Sequence, residues 1–115
     1  MSSTALQTLS DIASEAHTQV QQSDTGINPV IGLRRGMRET GIPADAMTID
    51  CLRTRRRILL VLHDRQPDAL LFQFAGIDDE DDPALSRMAL AELDSDRLVT
   101  WMRNWFADGK IPPAS

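Results

Sequence analysis

Residues 51–64 read CLRTRRRILLVLHD, and they place four arginines directly before the longest aliphatic run of the chain. The run, residues 58–62, contains five apolar residues without interruption and ends at the polar pair His63-Asp64. An unbroken apolar run of this length fits a central β-strand that is covered on both faces or nearly so. We therefore predict a central strand over residues 58–63, preceded by a charged turn that is rich in arginine.

Apolar residues alternate on both sides of this run, as they do in strands that bury one face. Residues 48–54 alternate loosely, and residues 69–75 alternate with Leu70, Phe72 and Phe74 on one side. Together with the central run, these segments predict three strands of an antiparallel meander.

The connections between these strands carry different signals. DRQPD at residues 64–68 is polar and contains proline, which is typical of a turn. Around Arg55-Arg56 no Gly, Asn or Asp is present to adopt a positive φ, so a longer or bulged turn is predicted instead of a two-residue hairpin. MALAEL at residues 88–93 fits both a fourth, edge strand and a helix. The strand is slightly favoured, because acidic segments lie on both sides and leave only a few residues between them.

The N-terminal segment, residues 3–22, has the three- and four-residue apolar spacing of an amphipathic helix. Its seam is narrow, with small alanines at the centre, which fits either a close helix contact within the domain or the interface of a homodimer. The contact within the domain is favoured, because fewer than three clear heptads are present. The seam consists of Leu6, Leu9, Ala13, Ala16 and Val20.

A second, short helix is predicted after the polar segment QSDTGIN. Asn28-Pro29 supplies an N-cap and a first-turn proline, and Gly41 supplies a residue that commonly ends helices. The apolar residues at helical spacing between these signals are Val30, Ile31, Leu33 and Met37.

The clearest helix of the sequence is the last one. Asp94 or Ser95 caps its N-terminus, and the pair Asp108-Gly109 ends it. Helical spacing predicts that its wide apolar stripe is core and packs on the sheet. The alternative is that another helix covers the other face of the sheet, which would leave part of the tryptophan surface exposed for docking. The stripe consists of Leu98, Trp101, Met102, Trp105 and Phe106.

The composition is that of an ordinary globular protein. With 115 residues, 42% of them hydrophobic and 25% charged, the chain is expected to form a single domain over residues 1–115, with flexible ends at about 1–3 and 110–115. One cysteine, Cys51, excludes an intramolecular disulfide and a multi-cysteine zinc site. The N-terminus lacks the basic start and long apolar stretch of a secretory signal, so we expect a cytoplasmic protein with no membrane span.

The net charge of −5 is unevenly distributed, with a basic middle segment between two acidic segments. Residues 1–27 carry three acids and no Lys or Arg; residues 28–57 carry seven arginines against three acids; residues 58–115 carry five bases against eleven acids. Arginines at one corner of the sheet can grip carboxylate or phosphate groups in bidentate fashion. The candidate binding residues are the seven arginines of the middle segment and two tryptophans of the last helix: Arg34, Arg35, Arg38, Arg53, Arg55, Arg56, Arg57, Trp101 and Trp105.

Two other interpretations of the arginine corner stay open. A solvated turn without a partner is favoured for the cluster itself, because the acidic run at residues 78–82 follows the third predicted strand and can neutralise the corner, and because exposed ion pairs contribute little. Alternatively, the corner binds an anionic small molecule or nucleic acid. Nucleic acid is not favoured, because the chain is acidic with a pI near 4.8 and its aromatic residues fall at apparent core positions.

Catalysis ranks third among the functional hypotheses. Cys51 and His63 form the one nucleophile-and-base pair that the sequence suggests, but a lone cysteine in a strand is more often a small buried hydrophobe. Two histidines and one cysteine make no convincing zinc site, the acidic run lacks the ligand spacing of a calcium loop, and no cofactor motif is present.

The sequence thus predicts an α+β fold with two N-terminal helices, a three- to four-stranded antiparallel meander, and a C-terminal helix packed on the sheet. For function it favours a small non-catalytic cytoplasmic protein that binds another protein, as an adaptor, regulator, chaperone or immunity-type partner. The expected partner has an acidic surface, and homodimerisation is a further expectation. No cofactor and no metal are expected.

Overall fold

The computed structural model describes residues 4–23, 29–34, 41, 43–66, 68–77, 85–107 and 109. Within these residues the fold is α+β, with one five-stranded antiparallel sheet and two α-helices. The helices and turns are α1 (Thr4–Ser23), a 3-10 turn (Leu90–Glu92), α2 (Ser95–Met102) and a π-helical turn (Arg103–Ala107). The strands are β1 (Pro29–Arg34), β2 (Ala44–Cys51), β3 (Arg56–His63), β4 (Ala69–Gly76) and β5 (Ser86–Ala89).

The sheet is a simple meander in which every strand pairs antiparallel with its sequence neighbour, in the order β1-β2-β3-β4-β5. β3 lies at its centre, as the aliphatic run predicts. Ile58 stands opposite Ile49 on one side and opposite Phe74 on the other. Because directly opposed residues point to the same face, such pairs build a continuous apolar face across the sheet.

Both α-helices pack against this face. The seam of α1 is confirmed as a contact within the chain, since Leu9, Ala13, Ala16 and Val20 are buried in one cluster with the sheet and α2. The two alanines keep the helix close to its neighbours, because their side chains add almost no thickness. Leu98 and Met102 of α2 and Phe106 of the π-helical turn complete the cluster.

The predicted second helix is wrong. Residues 29–34 form strand β1, which pairs with β2 from Pro29 opposite Cys51 to Arg34 opposite Ala46. The β-branched Val30 and Ile31 suit a strand better than a helix, and Gly32 weakens a helix by about 1 kcal/mol relative to alanine. In the sheet, by contrast, Gly32 makes room for a neighbour, because a Cβ there would lie 3.1 Å from Oγ1 of Thr48. Asn28 and Met37 lie outside the described residues.

The sheet has five strands where three to four are expected. β1 is one addition, and β2 begins at Ala44, before the predicted start at Thr48. β2 also ends earlier than predicted, because residues 52–55 form the turn before β3. The expectation of a longer turn is confirmed, and Arg55 adopts a positive φ of 56° there.

The segment 88–93 combines a strand and a turn. Met88 ends up in β5, as slightly favoured, but the chain leaves the sheet after Ala89 and forms the 3-10 turn. Asp94 then caps α2, because its side chain accepts a hydrogen bond from the backbone N–H of Arg97 at 2.8 Å. Gly109 closes the last turn at φ 67°, and its N–H donates to the carbonyl of Trp105 at 3.2 Å.

No helix among the described residues is long and apolar enough to span a membrane. The expected flexible ends, residues 1–3 and 110–115, lie outside the described part of the chain.

Two leucines that differ only in burial test this packing. Leu60 in β3 is fully buried, whereas Leu52 in the turn before β3 is 59% exposed. We expect Leu60→Ala to lower the free energy of unfolding by about 2–5 kcal/mol, because it removes contacts and leaves a cavity. Leu52→Ala should change it by less than about 0.5 kcal/mol. Urea unfolding followed by circular dichroism measures both, and similar losses in the two variants would contradict the assignment of β3 to the core.

Candidate functional site

The seven arginines of the basic middle are not all gathered at one corner in the part of the chain that is described. Arg53 and Arg55 are exposed in the turn between β2 and β3. Arg34 stands opposite Ala46, toward the other end of β2. Arg35 and Arg38 lie outside the described residues, as does the acidic run at 78–82.

Arg56 attaches the π-helical turn to the sheet. Its Nη1 donates to the carbonyl oxygens of Trp105, at 3.0 Å, and Phe106, at 3.4 Å. These carbonyls belong to the end of the helical segment, where carbonyl groups lack partners within the helix and carry partial negative charge. The guanidinium carbon also lies 5.5 Å from the ring centroid of Trp105, within the range of a cation–π interaction.

Trp105 completes this attachment from the other side. Its indole Nε1 donates to the carbonyl of Arg57 at 3.0 Å and to that of Ala75 at 3.2 Å. Gly109 lies so close that a Cβ there would be 2.7 Å from Nη2 of Arg56. We call this arrangement of Arg56, Trp105 and Gly109 the C-terminal clamp. It joins the last helical turn to the ends of β3 and β4.

Arg57 is also occupied within the fold. Its Nε and Nη2 donate to the two carboxylate oxygens of Asp50 at 2.7 and 3.0 Å, which is a bidentate pair. The two residues stand directly opposite each other on β2 and β3. Two of the four arginines in residues 51–64, Arg56 and Arg57, therefore make hydrogen bonds that stabilise the fold.

The two candidate tryptophans are placed differently. Trp101 is buried in an aromatic cluster, with its ring centroid 5.0 Å from that of Phe72 and 5.3 Å from that of Phe74. It contributes almost no accessible surface for a partner. Trp105 is half-buried, and its polar end is occupied by the two carbonyls of the sheet.

Cys51 and His63 do not meet. Cys51 is buried opposite Arg56, whereas His63 stands opposite Ala44 at the far end of the same strand pair. At about 3.3 Å per strand residue, the two lie roughly 20 Å apart. His63 Nδ1 accepts the backbone N–H of Arg65 at 3.1 Å, which ties the imidazole to its own turn. The described residues contain no group of three or more His, Cys, Asp or Glu side chains that could hold a metal ion.

One edge of the described sheet is apolar. β1 carries no charge over residues 29–33, and its Val30 and Leu33 are each 48% exposed. A groove runs between this strand and α1, and the bond from His17 Nε2 to the carbonyl of Pro29, 2.8 Å long, fixes the helix beside the strand. The groove is lined by Ser14, His17, Thr18, Pro29, Val30 and Ile31.

The other edge is polar. β5 has four residues, one of which is the exposed Arg87, and a second groove lies between this strand and the turn that connects β3 to β4. Arg65 enters this groove from the turn. Sequence reasoning missed this pair of arginines, because it weighed density along the chain and because only strand pairing brings the two together. The groove is lined by Arg65, Gln66, Asp68, Ala69, Arg87, Met88 and Ala89.

Comparisons of the chain with models of protein families, with curated proteins and with solved structures found no match. The functional argument therefore depends on the geometry of these surfaces.

The C-terminal clamp predicts a difference between two neighbouring arginines. Arg56→Gln should lower the free energy of unfolding by about 1–2 kcal/mol, because two helix-end carbonyls and the face of Trp105 lose their cation. Arg53→Gln, the same change at an exposed turn position, should cost less than about 0.5 kcal/mol. Urea unfolding followed by circular dichroism measures both values. A coupling energy near zero between Arg56→Gln and Trp105→Phe would contradict the clamp.

The position of Cys51 predicts how its thiol reacts. Because the side chain is buried in the core cluster, alkylation by iodoacetamide should be slow in the folded protein and fast in urea. Mass spectrometry of timed samples measures the two rates, and an alkylation rate in buffer similar to that in urea would show that the thiol is accessible. A His63→Ala variant should alkylate at the same rate as the unaltered chain.

Proposed function

We propose that this chain is a non-catalytic protein-binding module, and that the outer edge of β1 accepts an extended segment of a partner protein. The observation that carries this proposal is the exposure of Val30 and Leu33 on an outer strand that carries no charge before Arg34. A sheet edge presents backbone N–H and C=O groups that pair readily with another strand, and strand addition is a recurring mode of peptide recognition.

The contrast between the two edges supports the choice of β1. Sheet edges are commonly protected by short strands, charged side chains or bulges, which prevent unwanted pairing. β5 has both of the first two features, since it has four residues and includes Arg87. β1 has six residues with no charge before Arg34. Its edge is therefore the one whose chemistry favours pairing.

The strand pattern indicates the chemistry of the partner segment. Ile31 and Leu33 point to the face that α1 covers, because they stand opposite Ile49 and Met47 of the apolar face. Val30 points to the opposite face. A segment with apolar side chains at alternate positions can thus extend the helix-covered face beyond Leu33 while its backbone pairs with β1.

The groove beside β1 adds a side wall to this edge. Ser14 and Thr18 of α1 are exposed and small, so they leave space next to the strand. Because His17 is bonded to the carbonyl of Pro29, the wall keeps a fixed distance from the edge. A prearranged groove lowers the ordering cost that a partner must overcome on binding.

A peptide-display selection tests this proposal. We expect a library of random 12-residue peptides, panned on the folded chain, to yield sequences with alternating apolar residues. Val30→Lys and Leu33→Lys should each weaken binding of a selected peptide at least tenfold, because burial of one such side chain is worth about 1.5–3 kcal/mol. Leu52→Lys is the matched control, since Leu52 is equally apolar and more exposed but lies in the turn before β3. Isothermal titration calorimetry measures the affinities.

Two results would overturn the proposal. The first is a set of selected peptides whose binding is unaffected by Val30→Lys and Leu33→Lys, with all variants folded by circular dichroism. The second is sedimentation equilibrium that shows a dimer abolished by Val30→Lys, because the edge would then be occupied by a second copy of the chain.

A further inference from the structure

Arg65 and Arg87 line one groove although they are far apart in the sequence. Arg87 lies in β5, opposite Leu71 of β4, and Arg65 lies in the turn that connects β3 to β4. Ala69 stands opposite Ala89, and both residues line the groove with small side chains. The bond from the backbone N–H of Leu90 to the carbonyl of Asp68, at 2.8 Å, keeps the end of β5 against this turn.

These arginines differ from the ones near the C-terminal clamp. Arg56 and Arg57 donate to carbonyl and carboxylate oxygens of the fold. Within the described part of the chain, the guanidinium groups of Arg65 and Arg87 are exposed and make no ion pair or hydrogen bond. Both side chains are exposed, and a guanidinium fork matches the two oxygens of a carboxylate.

The charge of the groove favours an anionic ligand. Its lining carries two positive side chains and one negative side chain, that of Asp68, and therefore has a net charge of +1 on a chain of net charge −5. Two guanidinium groups that line one groove attract an anion that approaches both of them, and the exposed carboxylate of Asp68 reduces that attraction in part.

The shape of the groove favours a protein segment over a small molecule. Small-molecule sites bury most of the surface of their ligand, whereas this groove is largely open to solvent. Along it runs β5, the outermost strand on this side of the sheet that the structure describes. An extended segment can pair with the backbone of β5 and place acidic side chains near the arginines.

We infer that the groove formed by β5 and the β3–β4 turn binds an acidic, extended segment of a partner protein. Arg65 and Arg87 donate hydrogen bonds to the carboxylates of that segment. This site lies on the opposite edge of the sheet from β1, and it uses charge where β1 uses apolar contact. It therefore adds a second binding surface that is independent of the proposed function of β1.

A labelled hexaglutamate peptide tests the site. Fluorescence anisotropy at low ionic strength should show binding that weakens as salt is added, because exposed charge pairs are screened. Arg65→Gln and Arg87→Gln should each weaken binding roughly fivefold, and the double variant more strongly. Arg53→Gln is the matched control, since Arg53 is an exposed arginine in the turn at the other end of β3. A hexaglutamine peptide should not bind.

Three results would overturn the inference. One is equal binding of hexaglutamate by the double variant and the unaltered chain, and another is an equal loss of binding in Arg53→Gln. The third is that inorganic pyrophosphate binds at least as tightly as the peptide and depends on the same two arginines, because the ligand would then be a small anion. Val30→Lys should leave hexaglutamate binding unchanged, so that failure of this site and failure of the β1 edge can be told apart.

Discussion

The register of β3 is the constraint on which the other interactions of the fold depend. Side chains of a strand alternate between the two faces, so Arg56 shares a face with Ile58 and Leu60, whereas Arg57 points to the opposite face. Arg56 therefore reaches the helical turn that packs on the apolar face, and Arg57 reaches Asp50 on the other side. A shift of one residue would exchange the two roles and turn the aliphatic side chains away from the helices. The dense positive charge beside the most apolar segment is thus explained largely by the fold.

Density of charge along a sequence is a poor guide to where charge is available in the structure. A guanidinium that already donates to helix-end carbonyls or to a carboxylate must lose those bonds before it can bind a ligand. Arg56 and Arg57 already make such bonds, although they lie in the most basic segment of the chain. Arg65 and Arg87 stand alone in acidic surroundings of the sequence and yet line a common groove. For a small domain, strand pairing thus decides which cations converge and which are occupied.

Secondary structure could be predicted from the sequence only where the apolar pattern of a segment fits one type of element. The aliphatic run of β3 and the capped apolar stripe of α2 fit one structure each, and both predictions are confirmed. The apolar residues Val30, Ile31 and Leu33 match helical spacing over this short span, although the β-branched Val30 and Ile31 also suit a strand. Pairing with β2, which is a long-range interaction, decides for the strand. The same dependence on pairing hid the groove of Arg65 and Arg87, because only the pairing of β5 with β4 brings Arg87 to the turn that carries Arg65.

The chemistry of the two edges is easier to explain by contact with partners than by folding. Val30 and Leu33 are about half exposed, so a charged residue at either position would cost the core little and would protect the edge from unwanted pairing. Folding stability alone therefore gives no reason for the lack of charge over residues 29–33 of β1. At β5, a charged residue such as Arg87 protects an edge against indiscriminate strand addition. Under the two proposals made above, the part of the sheet that the structure describes would offer one apolar edge and one edge that selects a strand with acidic side chains.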